Sequence, residues 1–118
     1  MSRKSSLKPD CARLEYVLKM IADINTISKR HGSIASALED TEGHHAIMMC
    51  CLQIGEVLNK IETASIRKKL PVSLSYAMRN VIAHDYLGVD PRRIAATIEK
   101  DLPKLKSKME SILKRESA

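Results

Sequence analysis

The sequence predicts an all-α fold, an antiparallel four- to five-helix bundle, and three observations carry that prediction. Apolar residues recur at three- and four-residue spacing in separate stretches, no segment alternates with period two, and no hairpin turn divides apolar runs. The stretches are joined by short connections, as neighbouring antiparallel helices require.

The first stripe is Leu14, Val17, Leu18, Ile21 and Ile24, with Asp10 available as an N-cap and Gly32 as a stop after Arg30 and His31. A short polar stretch through "SIASALED" then leads to Thr41. From there Ile47, Cys50, Cys51, Ile54, Leu58 and Ile61 form a second stripe, widened by Met48, Leu52 and Gly55. A helix apolar over so much of its circumference belongs at the centre of the bundle. After the basic turn "SIRKKLP", Pro71 suits the first turn of a third helix running through Leu74 and Met78 towards His84 and stopping near Gly88. Asp90 followed by Pro91 is a cap-then-proline start, and Ile94, Ile98, Leu102, Leu105, Met109 and Ile112 carry a last stripe to the carboxyl terminus. Pro103 is expected to kink that element or divide it.

A chain of 118 residues makes one domain, residues 1–118, burying roughly two-thirds of its unfolded surface. Residues 1–9 and 114–118 read as frayed ends. With three Tyr and no Phe or Trp, there is little for aromatic stacking platforms, which argues against an RNA-recognition sheet or an oligonucleotide-binding barrel. The net charge of +6 and pI near 9.4 favour an acidic partner. Three cysteines, two of them adjacent in an apolar run, give no disulfide framework and fit a reducing cytoplasm. The longest apolar run, Ala46 to Leu52, falls far short of the roughly 20 residues needed to span a bilayer, so no membrane association is expected.

The densest polar chemistry lies in "MRNVIAHDYLGVD", Met78 to Asp90. On a helix Tyr76, Asn80 and His84 share one line, and Arg79 and Tyr86 share the neighbouring line about 100° away. Asn80 can hydrogen-bond one imidazole nitrogen of His84 and leave the other free for proton transfer, while the Arg79 guanidinium offers a fork suited to phosphate. A base beside an anion-binding cation suits cleavage of RNA by its own 2′-hydroxyl, chemistry that requires no metal. The same residues also fit a structural assignment. In it Asn80 and His84 cap the helix end, Arg79 pairs with an acid such as Asp85 or Glu56, and Tyr86 packs on the bundle. Residue types alone leave both open.

The pattern R-x-x-x-x-H-x-Y, met by Arg79, His84 and Tyr86, resembles the signature of the HepT-like toxins of the HEPN superfamily of all-helical ribonucleases. "LQIGEVLNK" resembles the "IGE" segment of that family's second long helix, and "RNVIAHDYLGVD" with "DLPKL" resembles its carboxyl-terminal half. Many relatives carry a tryptophan after the proline of the third helix, where this chain reads "LPVSLSY". The resemblance implies a metal-independent endoribonuclease toxin of a bacterial or archaeal toxin–antitoxin pair. It further implies a homodimer or higher oligomer, with Arg79 and His84 of both subunits lining an RNA cleft, and no cofactor. The implied partner is an antitoxin of the minimal nucleotidyltransferase type, resembling MntA, that silences the toxin by adenylylating Tyr86. Asn80 is then the orienting neighbour and Glu56 a second-tier residue that contacts Arg79 or lines the cleft. A rival reading keeps the fold but makes the chain a non-catalytic subunit that presents nucleotide or substrate to the nucleotidyltransferase. A purely structural helical dimer is a third.

Gly55 lies mid-helix, where glycine costs roughly 1 kcal/mol against alanine, so another element is expected to pass close by. His44, His45, Cys50 and Cys51 contain metal-ligand types, yet adjacent pairs diverge by about 100° on a helix and do not converge on one ion. Lys100, Lys104 and Lys108 form a basic stripe that suits either solvent or RNA phosphates.

Overall fold

A computed structural model describes residues 3–70 and 72–117, with side chains at 7–70, 73 and 76–116. Four long helices, α1 (Arg3–His31), α3 (Thr41–Leu58), α5 (Val72–Tyr86) and α6 (Pro91–Ser117), are joined by two short ones, α2 (Ile34–Glu39) and α4 (Ala64–Arg67). No strand occurs among the described residues. At 1.5 Å per residue α1 is about 43 Å long, which accounts for the longest dimension of the 45 × 26 × 20 Å molecule.

The predicted stripes form one core. Leu14, Val17, Ile21 and Ile24 of α1 meet Ile47, Cys51, Ile54 and Leu58 of α3, Met78 and Val81 of α5, and Ile94, Ile98, Leu102, Leu105 and Met109 of α6. Helix α3 lies between α1 and α5, and α6 closes the bundle against α1 and α5. No helix among the described residues is long and apolar enough to cross a membrane.

Local signals set most of the boundaries. Gly32, at φ +92°, ends α1 in a conformation that side-chain-bearing residues rarely adopt. The Asp40 carboxylate accepts from the Gly43 N–H at 2.8 Å and starts α3, and Asp90 accepts from the Arg92 N–H at 2.8 Å and starts α6.

Five expectations are corrected or refined. Asp10 is not an N-cap: α1 begins at Arg3, runs through Pro9, and buries Asp10 completely. Its Oδ2 accepts from the N–H groups of Glu62 (3.0 Å) and Thr63 (2.6 Å), so it caps the chain entering α4 instead. "SIASALED" is a helical turn, because Ser33 caps it and Ile34, Ala37 and Leu38 have a core to enter. Pro103 does not divide α6, since Leu102 and Leu105 on either side are buried in the core and hold the helix together. Ile61 is buried, but beyond the end of α3. Pro71, expected in the first turn of the third helix, lies outside the described residues, as do residues 1, 2 and 118 of the expected frayed ends. In the rest of those ends the helices continue: Leu7 packs against the core, and Lys69 Nζ lies 3.5 Å from Glu116 Oε1.

Candidate active site

Helix α5 is two-faced. Ala77, Met78 and Val81 enter the core, while Tyr76, Arg79, Asn80, Ala83, His84 and Tyr86 are exposed. The quoted polar residues therefore occupy one solvent-facing surface, as their helical spacing requires.

Arg79 leaves α5 over Gly55 of α3. A Cβ placed on Gly55 would lie 3.6 Å from Arg79 Cγ, so the element expected to pass close to this glycine is the arginine's aliphatic stem. Arg79 borders two clefts. One, of about 200 Å³, lies between α3 and α5 and includes Leu52, Glu56 and Ile82, so Glu56 and Arg79 share a wall. The other, of about 240 Å³, lies towards α4 and includes Asn59, Arg67 and Tyr76. Cys51 also lines the first cleft, but burial, with a smaller contribution from Cys50, pushes its thiol up to about 12. It is protonated at neutral pH and no nucleophile.

None of the three structural duties open to this constellation is taken up among the described residues. The end of α5 is closed by its own backbone: the Val89 N–H donates to the His84 carbonyl and the Gly88 N–H to the Asp85 carbonyl, both at 3.0 Å, with Gly88 at φ +77°. This is a Schellman motif, which leaves the Asn80 and His84 side chains no capping role. Arg79 makes no ion pair with Glu56 or Asp85. Tyr86 is 88% exposed and packs on nothing. Asn80 and His84 stand one turn apart, both exposed, with no hydrogen bond between them.

Asp85 has a different partner. His44, in the first turn of α3, donates from Nε2 to Asp85 Oδ1 at 2.7 Å, and both side chains are about 70% buried. Sequence reasoning offered Asp85 only as a candidate partner of Arg79, and His44 only as a metal-ligand type that does not converge with its neighbours on one ion. Their pairing across 41 positions has no local signature. Arg67, at the end of α4, is the other residue not anticipated, because the cleft it lines is bounded by side chains from α3, α4 and α5 and exists only in the folded chain.

With this geometry in view, comparison with known proteins decides the family. Residues 17–112 match the family model described as "Ribonuclease HepT-like". The chain belongs to the HepT-like ribonuclease family. Two similar proteins of Methanocaldococcus jannaschii are named "Putative RNase MJ0125" and "Putative RNase MJ1216". Each is 33% identical to this chain over 73 residues, covering 59% of it and 62% and 60% of their own lengths respectively. The chain thus spans about three-fifths of the length of these curated relatives. No solved structure matches it significantly. Within the HepT-like family the all-helical bundle read from the sequence is the expected architecture, and the matched region contains all of α2 to α5, about half of α1 and most of α6.

Proposed function

We propose that this HepT-like chain is a metal-independent endoribonuclease in which Arg79 and His84 act on the scissile phosphodiester. One observation carries the reading: the arginine and histidine of R-x-x-x-x-H-x-Y project from one exposed face of α5, relieved of structural duty by a backbone cap and by a His44–Asp85 pair. In the proposed reaction His84 takes the proton of the 2′-hydroxyl. O2′ then bonds to phosphorus, the P–O5′ bond breaks, and O5′ leaves with a proton taken from solvent water, giving a 2′,3′-cyclic phosphate and a 5′-hydroxyl end while His84 returns its proton to solvent. The Arg79 fork neutralises charge that grows on the non-bridging oxygens, an interaction strongest in the transition state. Asn80, one turn before His84 on the same exposed face, is the proposed orienting neighbour, and Glu56 shapes the wall that Arg79 shares.

The chain is further proposed to be the toxin of a toxin–antitoxin pair, working as a homodimer or higher oligomer in the cytoplasm. Its proposed antitoxin is an MntA-like nucleotidyltransferase that transfers an adenylyl group to Tyr86. Exposure of the Tyr86 hydroxyl supports modification, and exposed Met49 and Leu52 on α3, with Leu87 beyond α5, support association of this surface with a second copy.

The test is incubation of purified protein with single-stranded RNA in the presence of a chelator, alongside Arg79→Ala and His84→Ala. The reading expects cyclic-phosphate ends from the wild-type chain and a loss of about 100-fold or more in each variant, with melting temperatures unchanged because both side chains are exposed. Wild-type and variant proteins that remain folded and behave alike would favour the non-catalytic presenting subunit.

A further inference from the structure

The cleft towards α4 is not needed by the two-residue chemistry above, yet its lining is distinctive. Two arginines line it from different helices, Arg67 from α4 and Arg79 from α5, and neither makes an ion pair among the described residues. No carboxylate among the described residues lines it. Leu58 and Ile61 supply an apolar floor, the Asn59 amide stands beside them, and Tyr76, 56% exposed, forms the rim.

Each part has a physical consequence. Two cations around one concavity without a compensating acid create a local positive potential, and guanidinium forks match phosphate oxygens in pairs. An apolar floor with an open phenol ring suits the flat face of a base, and a neighbouring amide can donate to or accept from the base edge. At about 240 Å³ the cleft lies below the roughly 300–1,000 Å³ of sites for drug-sized ligands. That size suits a single small unit rather than a whole drug-sized ligand.

We propose that this cleft is a subsite for the nucleotide adjacent to the scissile phosphate of single-stranded RNA. Arg67 holds the neighbouring phosphate, and Tyr76 stacks on the base. The proposal rests on the reading that Arg79 serves RNA cleavage. Since Arg79 borders both clefts, a strand held by Arg67 leads its next phosphodiester towards the residues of α5. Arg67 is a positioning residue: it holds substrate one unit away from the reacting atoms.

The experiment measures binding apart from cleavage. A short, fluorescently labelled 2′-O-methyl RNA, which lacks the attacking hydroxyl, is titrated into the full chain at several salt concentrations. Arg67→Met is expected to weaken binding about tenfold and to reduce the log–log salt slope by about 0.7, the value for one lost phosphate contact on a single strand. Tyr76→Ala is expected to weaken binding about tenfold with the slope unchanged, because stacking releases no counterion. Arg67→Lys should restore the slope. With cleavable RNA, Arg67→Met should raise KM and leave kcat within about threefold. Should Arg67→Met fail to fold, Tyr76→Ala carries the binding test. Unchanged affinity and slope in folded variants overturn the subsite even if the wild-type chain cuts RNA. Altered affinity and slope in a chain that cuts nothing leave a nucleotide-binding cleft but remove its place beside a scissile phosphate, together with the ribonuclease reading.

Discussion

His44 and Asp85, 41 positions apart, join the start of α3 to the end of α5 through a 2.7 Å hydrogen bond. Asp85 lies between His84 and Tyr86, so this contact fixes the last turn of the helix that carries both proposed functional side chains. Charge-assisted hydrogen bonds between half-buried partners are worth about 1.5–3 kcal/mol. If the pair positions α5, Asp85→Asn and His44→Gln should each reduce kcat for RNA about three- to tenfold with little change in KM. The double variant should be no worse than the more damaged single one, since both remove one contact. Strictly additive losses would separate the residues and remove the positioning role.

Gly55 and Arg79 give a graded prediction. The 3.6 Å spacing between an added Cβ and Arg79 Cγ is ordinary van der Waals contact, so Gly55→Ala should fold. It should gain up to about 1 kcal/mol from helix propensity and keep most of its activity. Gly55→Leu must displace the arginine stem. A cost of about 1–3 kcal/mol from overpacking is expected, and urea denaturation checks it. Cleavage should fall towards the level of Arg79→Ala, because the guanidinium loses its seat while remaining in the sequence.

These contacts mark the limit of what the sequence made legible. Gly32, Asp90 and Pro91 act through local chemistry, and the element boundaries near them follow directly. The helical line through Tyr76, Asn80 and His84 is likewise a property of spacing. Asp10 misleads for the same reason that it is useful: its short carboxylate suits any unpaired N–H groups, and the ones it serves belong to Glu62 and Thr63. "SIASALED" is too short and too polar to announce a helix, and only the core beneath Ile34 and Leu38 stabilises it. Arg67 and the His44–Asp85 pair depend on how helices pack, which no window of sequence encodes.

Tyr86 separates control from chemistry. Its side chain is almost fully solvated, so Tyr86→Phe should leave stability within about 0.5 kcal/mol and retain cleavage of RNA. Incubated with ATP and the proposed nucleotidyltransferase, the wild-type chain should gain the mass of an adenylyl group and lose activity. The Phe variant should do neither. A modified Phe variant would move the acceptor elsewhere, and an unmodified wild-type chain would count against adenylylation by that partner.

Asp10 offers a test of the fold that is independent of the site. Burial acts to raise its pKa, but hydrogen bonds from the side chain and N–H of Thr63, from Arg13 and from the Glu62 N–H outweigh that effect and hold it below the ordinary 3.8. A carboxylate whose pKa is lower folded than unfolded contributes stability that is fully present above the unfolded value and is lost as pH falls through the folded one. Asp10→Asn keeps one acceptor oxygen but loses the charge paired with Arg13, which lies 2.6 Å away. The variant should be less stable by about 1–3 kcal/mol at neutral pH. The deficit should shrink below about pH 3.8, as the wild-type carboxyl takes up its proton and the two side chains become alike in charge. Denaturant unfolding at neutral and acid pH reads this directly. A deficit that stays constant across that range would mean that the loss comes from the shape of the amide, with no contribution from the charge.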